Sequence, residues 1–164
     1  MHTEPLELPG RPVSESISEY SEIALPNDAN PLGNLLGGRV MHLVDLAGAI
    51  AAARHSRCPV VTASIDYMTF LHPVHIGQLL MLKSSVNRVF RTSMEVGVKV
   101  WVEDLRTGMR LHTSSAYLTF VALGATGERV RVRPVIPETD EQKQRFEDAG
   151  IRREWRLRNK KQSR

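Results

Sequence analysis

An α+β fold, one helix laid against a mostly antiparallel sheet, is predicted by three features of this sequence. Leu36, Val40, Leu43, Ala47 and Ile50 recur at the spacing of a helix with one core-facing stripe. Four long strand-like segments follow with no second helix between them, and their connections suit hairpins. A highly charged helical segment then closes the chain.

Taken in order, residues 1–15 hold Pro5, Pro9, Gly10 and Pro12 and read as an extended arm. A first strand is expected over Ile17 to Leu25, ended by Pro26, Asn27 and Asp28. The stretch Asn30-Pro31-Leu32-Gly33-Asn34 is rich in turn formers. The helix gains propensity from Ala49, Ala51, Ala52 and Ala53 and runs out near His55, before Pro59. Strands are expected over Val60 to Phe70, Leu79 to Phe90, Ser93 to Asp104 and Arg110 to Leu123. Ser93 to Asp104 alternates most cleanly, with Met94, Val96, Val98, Val100 and Val102 on one face. Glu95, Gly97, Lys99, Trp101 and Glu103 lie on the other. Arg106-Thr107-Gly108 reads as a hairpin turn, and Glu138 to about Arg158 as the charged helix. The organisation is thus an arm (1–15), one domain (16–137), and a charged helix with a basic tail (138–164).

Composition narrows the function classes. At 164 residues and 41% hydrophobic the chain builds one packed core. No apolar run approaches the roughly 18 residues that span a bilayer. Met1 to Gly10 carries Glu4 and Glu7 and lacks the basic-then-apolar order of a signal peptide, so a cytoplasmic location is expected. The single Cys58 excludes an internal disulfide and a multi-cysteine zinc site; beside Pro59 it reads as a packed structural thiol. The six histidines show no HExxH spacing, and GxSxG, P-loop and GxGxxG patterns are absent, so serine-esterase chemistry is not expected. The +4 charge is unevenly placed, with Arg152, Arg153, Arg156, Arg158, Lys160, Lys161 and Arg164 standing against the single acid Glu154. That segment is either a solvated, frayed end or an attractor of anions. Aromatics do not alternate with the charges, so nucleic acid is not an expected partner.

Asp45 is the chemically unusual residue, a carboxylate inside the most apolar helix. It faces either a wetted site or bulk solvent; its neighbours one turn away include the small Gly48 and Ala49. Gly37-Gly38 opens the same helix, where backbone N–H groups lack helical partners and the dipole favours an oxyanion; the alternative is a tight turn needing no side chain. Gly38 and Asp45 share an azimuth but stand about 10 Å apart along the axis. Both can act on one carbonyl only if two subunits share the site, which points to a dimer. Arg91-Thr92-Ser93 supplies a cation and hydroxyls suited to phosphate.

The run Asp28-Ala29-Asn30-Pro31-Leu32-Gly33-Asn34, then Gly37-Gly38, Met41 and Asp45, resembles the signature of the hotdog acyl-CoA thioesterases. The likeness continues through Arg54-His55, Val60-Val61-Thr62-Ala63-Ser64, Met68, Phe70 and Gly77. It goes on through Thr92 to Val96, Thr119-Phe120-Val121, and Pro137 to Glu147, about residues 18–150 in all. It implies a central helix wrapped by a curved antiparallel sheet, sheet-edge dimers, and often a trimer of dimers. It also implies hydrolysis of acyl-CoA, with CoA as part of the substrate and no cofactor. Asp45 would act as general base, or as direct nucleophile, with Asn30 supplied by the partner subunit and the Gly37-Gly38 amides holding the oxyanion. Thr62, with Arg91, Thr92, Ser93 and the basic C-terminal segment, is expected to contact CoA. Two rivals share the fold: a non-catalytic acyl-CoA sensor and a hydratase or dehydratase.

Overall fold

The computed structural model describes residues 8–162; Glu4, Glu7 and Arg164 of the expected arm and tail lie outside them. The elements in chain order are β1 (Arg11–Pro12), a 3-10 turn (Val13–Ser16), β2 (Ser18–Ile23), a 3-10 turn (Pro26–Asp28) and α1 (Gly37–Ser56). There follow β3 (Val60–Ile65), β4 (Leu79–Phe90), β5 (Ser93–Glu103), β6 (Arg110–Ala122), β7 (Val135–Ile136) and α2 (Asp140–Gln162). Five strands form one antiparallel sheet in the order β2-β4-β5-β6-β3. α1 touches every strand of that sheet, which therefore curls around it.

Period-two burial builds this arrangement. Val96, Val98 and Val100 of β5, Leu80 and Leu82 of β4, and Leu118 and Phe120 of β6 turn inward to the helix. From α1 they meet Val40, Leu43, Val44, Ala47 and Ala51. The expected core stripe therefore needs correction at its ends. Leu36 and Ile50 are 48% and 40% exposed, and Val44 and Ala51 occupy the buried positions instead. β3 also stops at Ile65 rather than Phe70. After a bulge between Thr62 and Ser64, Asp66 still donates to the Tyr117 carbonyl at 2.9 Å, and farther on the Leu71 amide donates to the Thr113 carbonyl at 2.8 Å, so the chain stays against β6 without a regular ladder.

Helix and sheet approach closely at Gly48, where an added Cβ would sit 2.9 Å from Phe120 Cε2. Phe120 is fully buried and cannot swing away. Gly48→Ala is expected to destabilise the fold by about 1–3 kcal/mol despite the better helix propensity of alanine. A urea midpoint equal to wild type would show that the ring gives way.

His55, near the C-terminal end of α1, is fully buried. Its Nε2 lies 2.8 Å from the Arg133 carbonyl and must donate, since a carbonyl only accepts; Nδ1 is buried with no partner. Burial pulls its pKa below the ordinary histidine value, opposed by the Arg133 bond and reinforced by Arg11, with Glu15 acting the other way. The unfolded chain then binds the proton more readily. The resulting stability is complete above about pH 6.5 and is lost as pH falls below it, by at most about 1.4 kcal/mol per pH unit. His55→Gln should flatten the denaturation midpoint between pH 5 and 7; an unchanged slope would assign the acid sensitivity to another group.

The C-terminal segment is not a frayed end. α2 crosses the outer face of the sheet, and Arg152 and Arg156 reach Glu95 of β5, which is fully buried. The described part of the N-terminal arm also packs, since β1 pairs in parallel with β7 and Val13 is buried. No helix among the described residues is long and apolar enough to cross a membrane.

Candidate active site

Asp45 lies two turns into α1, on the flank between the buried and exposed stripes, and is half-buried. Its Oδ1 accepts a hydrogen bond from the Thr62 hydroxyl at 2.6 Å. Pairing sets that contact. Thr62 stands opposite Phe120, an inward-facing residue, so its side chain points the same way, toward α1. Gly48 and Ala49 are too small to cover the acid. Among the described residues no other hydrogen bond reaches this carboxylate, so Oδ2 is available to a further donor.

At the start of α1 the cap residue Leu36 contributes no side-chain hydrogen bond. The Arg39 and Val40 amides both bond the Leu36 carbonyl, at 2.9 and 3.2 Å. That leaves Gly37 and Gly38 as the first amides without a partner inside the helix. Both residues are exposed. The Phe70 ring lies 3.5 Å from where a Gly37 Cβ would be, while Gly38 has nothing within 4 Å.

Asn30 occupies a loop pinched by the Ala29–Leu35 bridge. Its Oδ1 accepts the amides of Leu32 and Asn34 at 3.0 and 3.1 Å. The oxygen is thus committed to the loop, and the Nδ2 group is the part left to donate outward. The same loop joins the helix start, because the Leu36 amide donates to the Asp28 carbonyl at 2.9 Å.

Arg91 and Thr92 make the turn between β4 and β5, Arg91 with a left-handed φ of 36°. Across the ladders Thr62, Phe120 and Met94 lie in one row, so the Ser93 end of β5 is about 10 Å from Thr62. Ser93, however, belongs to the outer face, where its hydroxyl receives a long 3.4 Å bond from Arg153 of α2. The structure therefore joins Thr62 to Asp45 and joins Arg153 to Ser93, on opposite sides of the sheet. Arg152 and Arg156, part of the basic segment expected at phosphate, are already engaged by Glu95 and Asp66. A cavity of about 390 Å³ on the outer face, lined by Lys83, Lys99, Trp101 and Arg145, touches neither Asp45 nor Asn30. The flank beside Asp45 instead opens onto the exposed apolar residues Leu46, Ile50 and Ile65. The Thr62–Asp45 contact was not visible in the sequence.

The Thioesterase superfamily model matches residues 32–109, a span that includes Gly37, Gly38, Asp45 and Thr62. The mouse acyl-coenzyme A thioesterase 11 is 38% identical over 139 residues, 85% of this chain but 23% of that protein, so the chain spans about a quarter of that relative. The Bacillus subtilis "uncharacterized acyl-CoA thioester hydrolase YkhA" is 44% identical over 117 residues, 71% of this chain and 68% of the relative. Among solved structures, an apo-hexameric acyl-CoA thioesterase superposes at a TM-score of 0.90 with 38% identity, covering 93% of this chain and 97% of that one. A Staphylococcus aureus acyl-CoA hydrolase, solved with butyryl coenzyme A, coenzyme A and coenzyme A disulfide, superposes at 0.88 with 34% identity and 94% coverage of each chain. Alanine variants of that hydrolase at one asparagine, one aspartate and one threonine are also similar folds. With a relative 44% identical across 68% of its own length and a curled sheet around one helix that superposes on these hydrolases, this chain belongs to the hotdog-fold acyl-CoA thioesterase family.

Proposed function

We propose that this protein hydrolyses acyl-CoA thioesters to a free carboxylic acid and CoA, with Asp45 as the general base. The observation that carries the proposal is the 2.6 Å bond from Thr62 to Asp45 Oδ1, which fixes the carboxylate while leaving its second oxygen open. In the reaction Oδ2 takes a proton from water as the water oxygen attacks the thioester carbonyl. The tetrahedral oxyanion accepts the Gly37 and Gly38 amides, donors of a kind worth about 3–4 kcal/mol each in other hydrolases. The carbon–sulfur bond then breaks, and the CoA thiolate leaves with the proton returned by Asp45. The Asn30 Nδ2 group donates to the thioester or to the attacking water. CoA enters as part of the substrate, and no cofactor is called for.

Residue spacing supports the assignment. In the Staphylococcus aureus variants the asparagine precedes the aspartate by 15 residues and the threonine follows it by 17. Asn30, Asp45 and Thr62 are spaced alike.

The proposed active unit is a homodimer, each site taking Asn30 and the glycine amides from one subunit and Asp45 with Thr62 from the other. The free edge of β3 and the exposed Leu46, Ile50 and Ile65 supply an apolar face for it. A trimer of such dimers, with Arg91, Thr92 and Ser93 near the CoA phosphates, and a cytoplasmic location belong to the same proposal. Thiol release from acyl-CoAs of two to eighteen carbons, followed with DTNB, tests the activity, and light scattering tests the assembly. Tight acyl-CoA binding without thiol release would favour a sensor, and hydration of crotonyl-CoA a hydratase.

A further inference from the structure

Arg39 runs against the electrostatics of its position. It is the third residue of α1, where the helix carries partial positive charge and acids are favoured, yet the first turn has no acid. Its guanidinium is instead held by two other segments. Nη2 donates to Glu22 Oε1 of β2 at 2.5 Å. Nε lies 3.2 Å from Asp28 Oδ2, an ion pair without hydrogen-bond alignment. The Tyr20 hydroxyl donates to the other Glu22 oxygen, so that carboxylate is gripped from both sides. The Tyr20 bond, and Arg39 after it, hold Glu22 below the usual carboxylate range against the opposing effect of burial.

Asp28 brackets the double glycine. Its carbonyl accepts the amide of Leu36, just before Gly37, and its carboxylate faces Arg39, just after Gly38. Asp28 is also two residues ahead of Asn30, at the base of the pinched loop. One guanidinium thus ties the first turn of α1 to β2 and to the Asn30 loop by pairing with a carboxylate of each.

We infer that Arg39 is a positioning residue: by drawing Glu22 and Asp28 together it holds the Gly37 and Gly38 amides and the Asn30 loop in their relative places for an oxyanion. The inference rests on the hydrolase reading above and adds a residue to it. Such a residue acts on the transition state more than on binding, so it should move kcat and spare KM.

The test compares wild type, Arg39→Met and Arg39→Lys as full chains, by DTNB-detected hydrolysis of acyl-CoAs and by amide hydrogen exchange over residues 36–40. Arg39→Met should lower kcat about tenfold with KM within about twofold, and Arg39→Lys should recover most of the loss. Exchange over residues 36–40 should quicken about tenfold in Arg39→Met in an otherwise wild-type oligomer. A wild-type kcat in Arg39→Met overturns the inference. So does a loss carried by KM with no recovery in Arg39→Lys, since Arg39 would then be binding CoA. Should wild type release no CoA from any acyl-CoA, the hydrolase reading falls on its own. The exchange measurement still decides the positioning role, and unchanged protection over residues 36–40 rejects it.

Discussion

Under the proposed mechanism Asp45→Asn is expected to slow CoA release by about 10²–10⁴-fold, the contribution of a positioned general base, with little change in KM. Asparagine keeps the shape of the side chain and an oxygen that can still accept the Thr62 hydroxyl. What it loses is the ability to take a proton from water. Asp45→Ala should fall as far, and because Asp45 is only half-buried and Thr62 is exposed, neither change should unfold the chain. A base also predicts no burst of CoA equal to the number of sites, because no acyl-enzyme forms. A stoichiometric burst would make Asp45 the nucleophile instead. A rate for Asp45→Asn within threefold of wild type would take Asp45 out of the chemistry altogether.

How far such a site can be read from residues alone depends on what each residue faces. The bounds of β4 follow directly from Gly77 before it and the polar Arg91-Thr92 turn after it. β5 and β6 follow from alternation to within a residue. The core stripe of α1 was legible at Val40, Leu43 and Ala47 and misleading at Leu36 and Ile50. Periodicity reports that a side chain is apolar, and it does not say whether its own sheet or a second chain would cover it. Glu95 shows the converse difficulty. Alternation puts it on the outer face, where a carboxylate is ordinarily solvated, and only the arrival of α2 some 57 residues later buries it. The β1–β7 ladder has two residues per strand and joins segments far apart in the sequence, too little pattern to announce itself. For Asp45 the sequence left two facings open, because a flank between the buried and solvated stripes satisfies both. The Thr62 bond was invisible because it requires knowing which way β3 turns after α1.

The second large effect concerns that buried carboxylate. Arg152→Met combined with Arg156→Met should destabilise the protein by about 3–5 kcal/mol, the penalty for stripping partners from a buried charge. Glu95 is fully buried and takes Arg152 Nη2 at 2.7 Å, Arg156 Nη1 at 3.1 Å and the Asn87 amide at 3.2 Å. Burial disfavours the charged Arg152, yet the carboxylate more than offsets it and raises its pKa above the ordinary arginine value. With both arginines gone, Asn87 alone would face an ionised group that water cannot reach. The loss should therefore be relieved by removing the charge, since replacing a whole buried ion pair with apolar side chains of similar volume is often neutral. Adding Glu95→Met to the double variant is expected to recover most of the stability, read from urea midpoints at one fixed protomer concentration. Packing alone predicts the reverse, a triple variant no better than the double. Arg152 also lies 3.7 Å over the Tyr117 ring, and a methionine there keeps much of that contact, so the comparison isolates charge. The effect should reach the active site as well. Arg156 holds Asp66 at 2.6 Å at the point where the chain leaves β3, and the segment that follows carries Phe70 over Gly37. Releasing Asp66 removes one of the two anchors of the residues that cover the start of α1, the other being the Leu71 amide on the Thr113 carbonyl, so the double variant should lose activity at denaturant concentrations below its unfolding midpoint. Parallel loss of activity and fold would instead mean that α2 secures the whole domain as one unit.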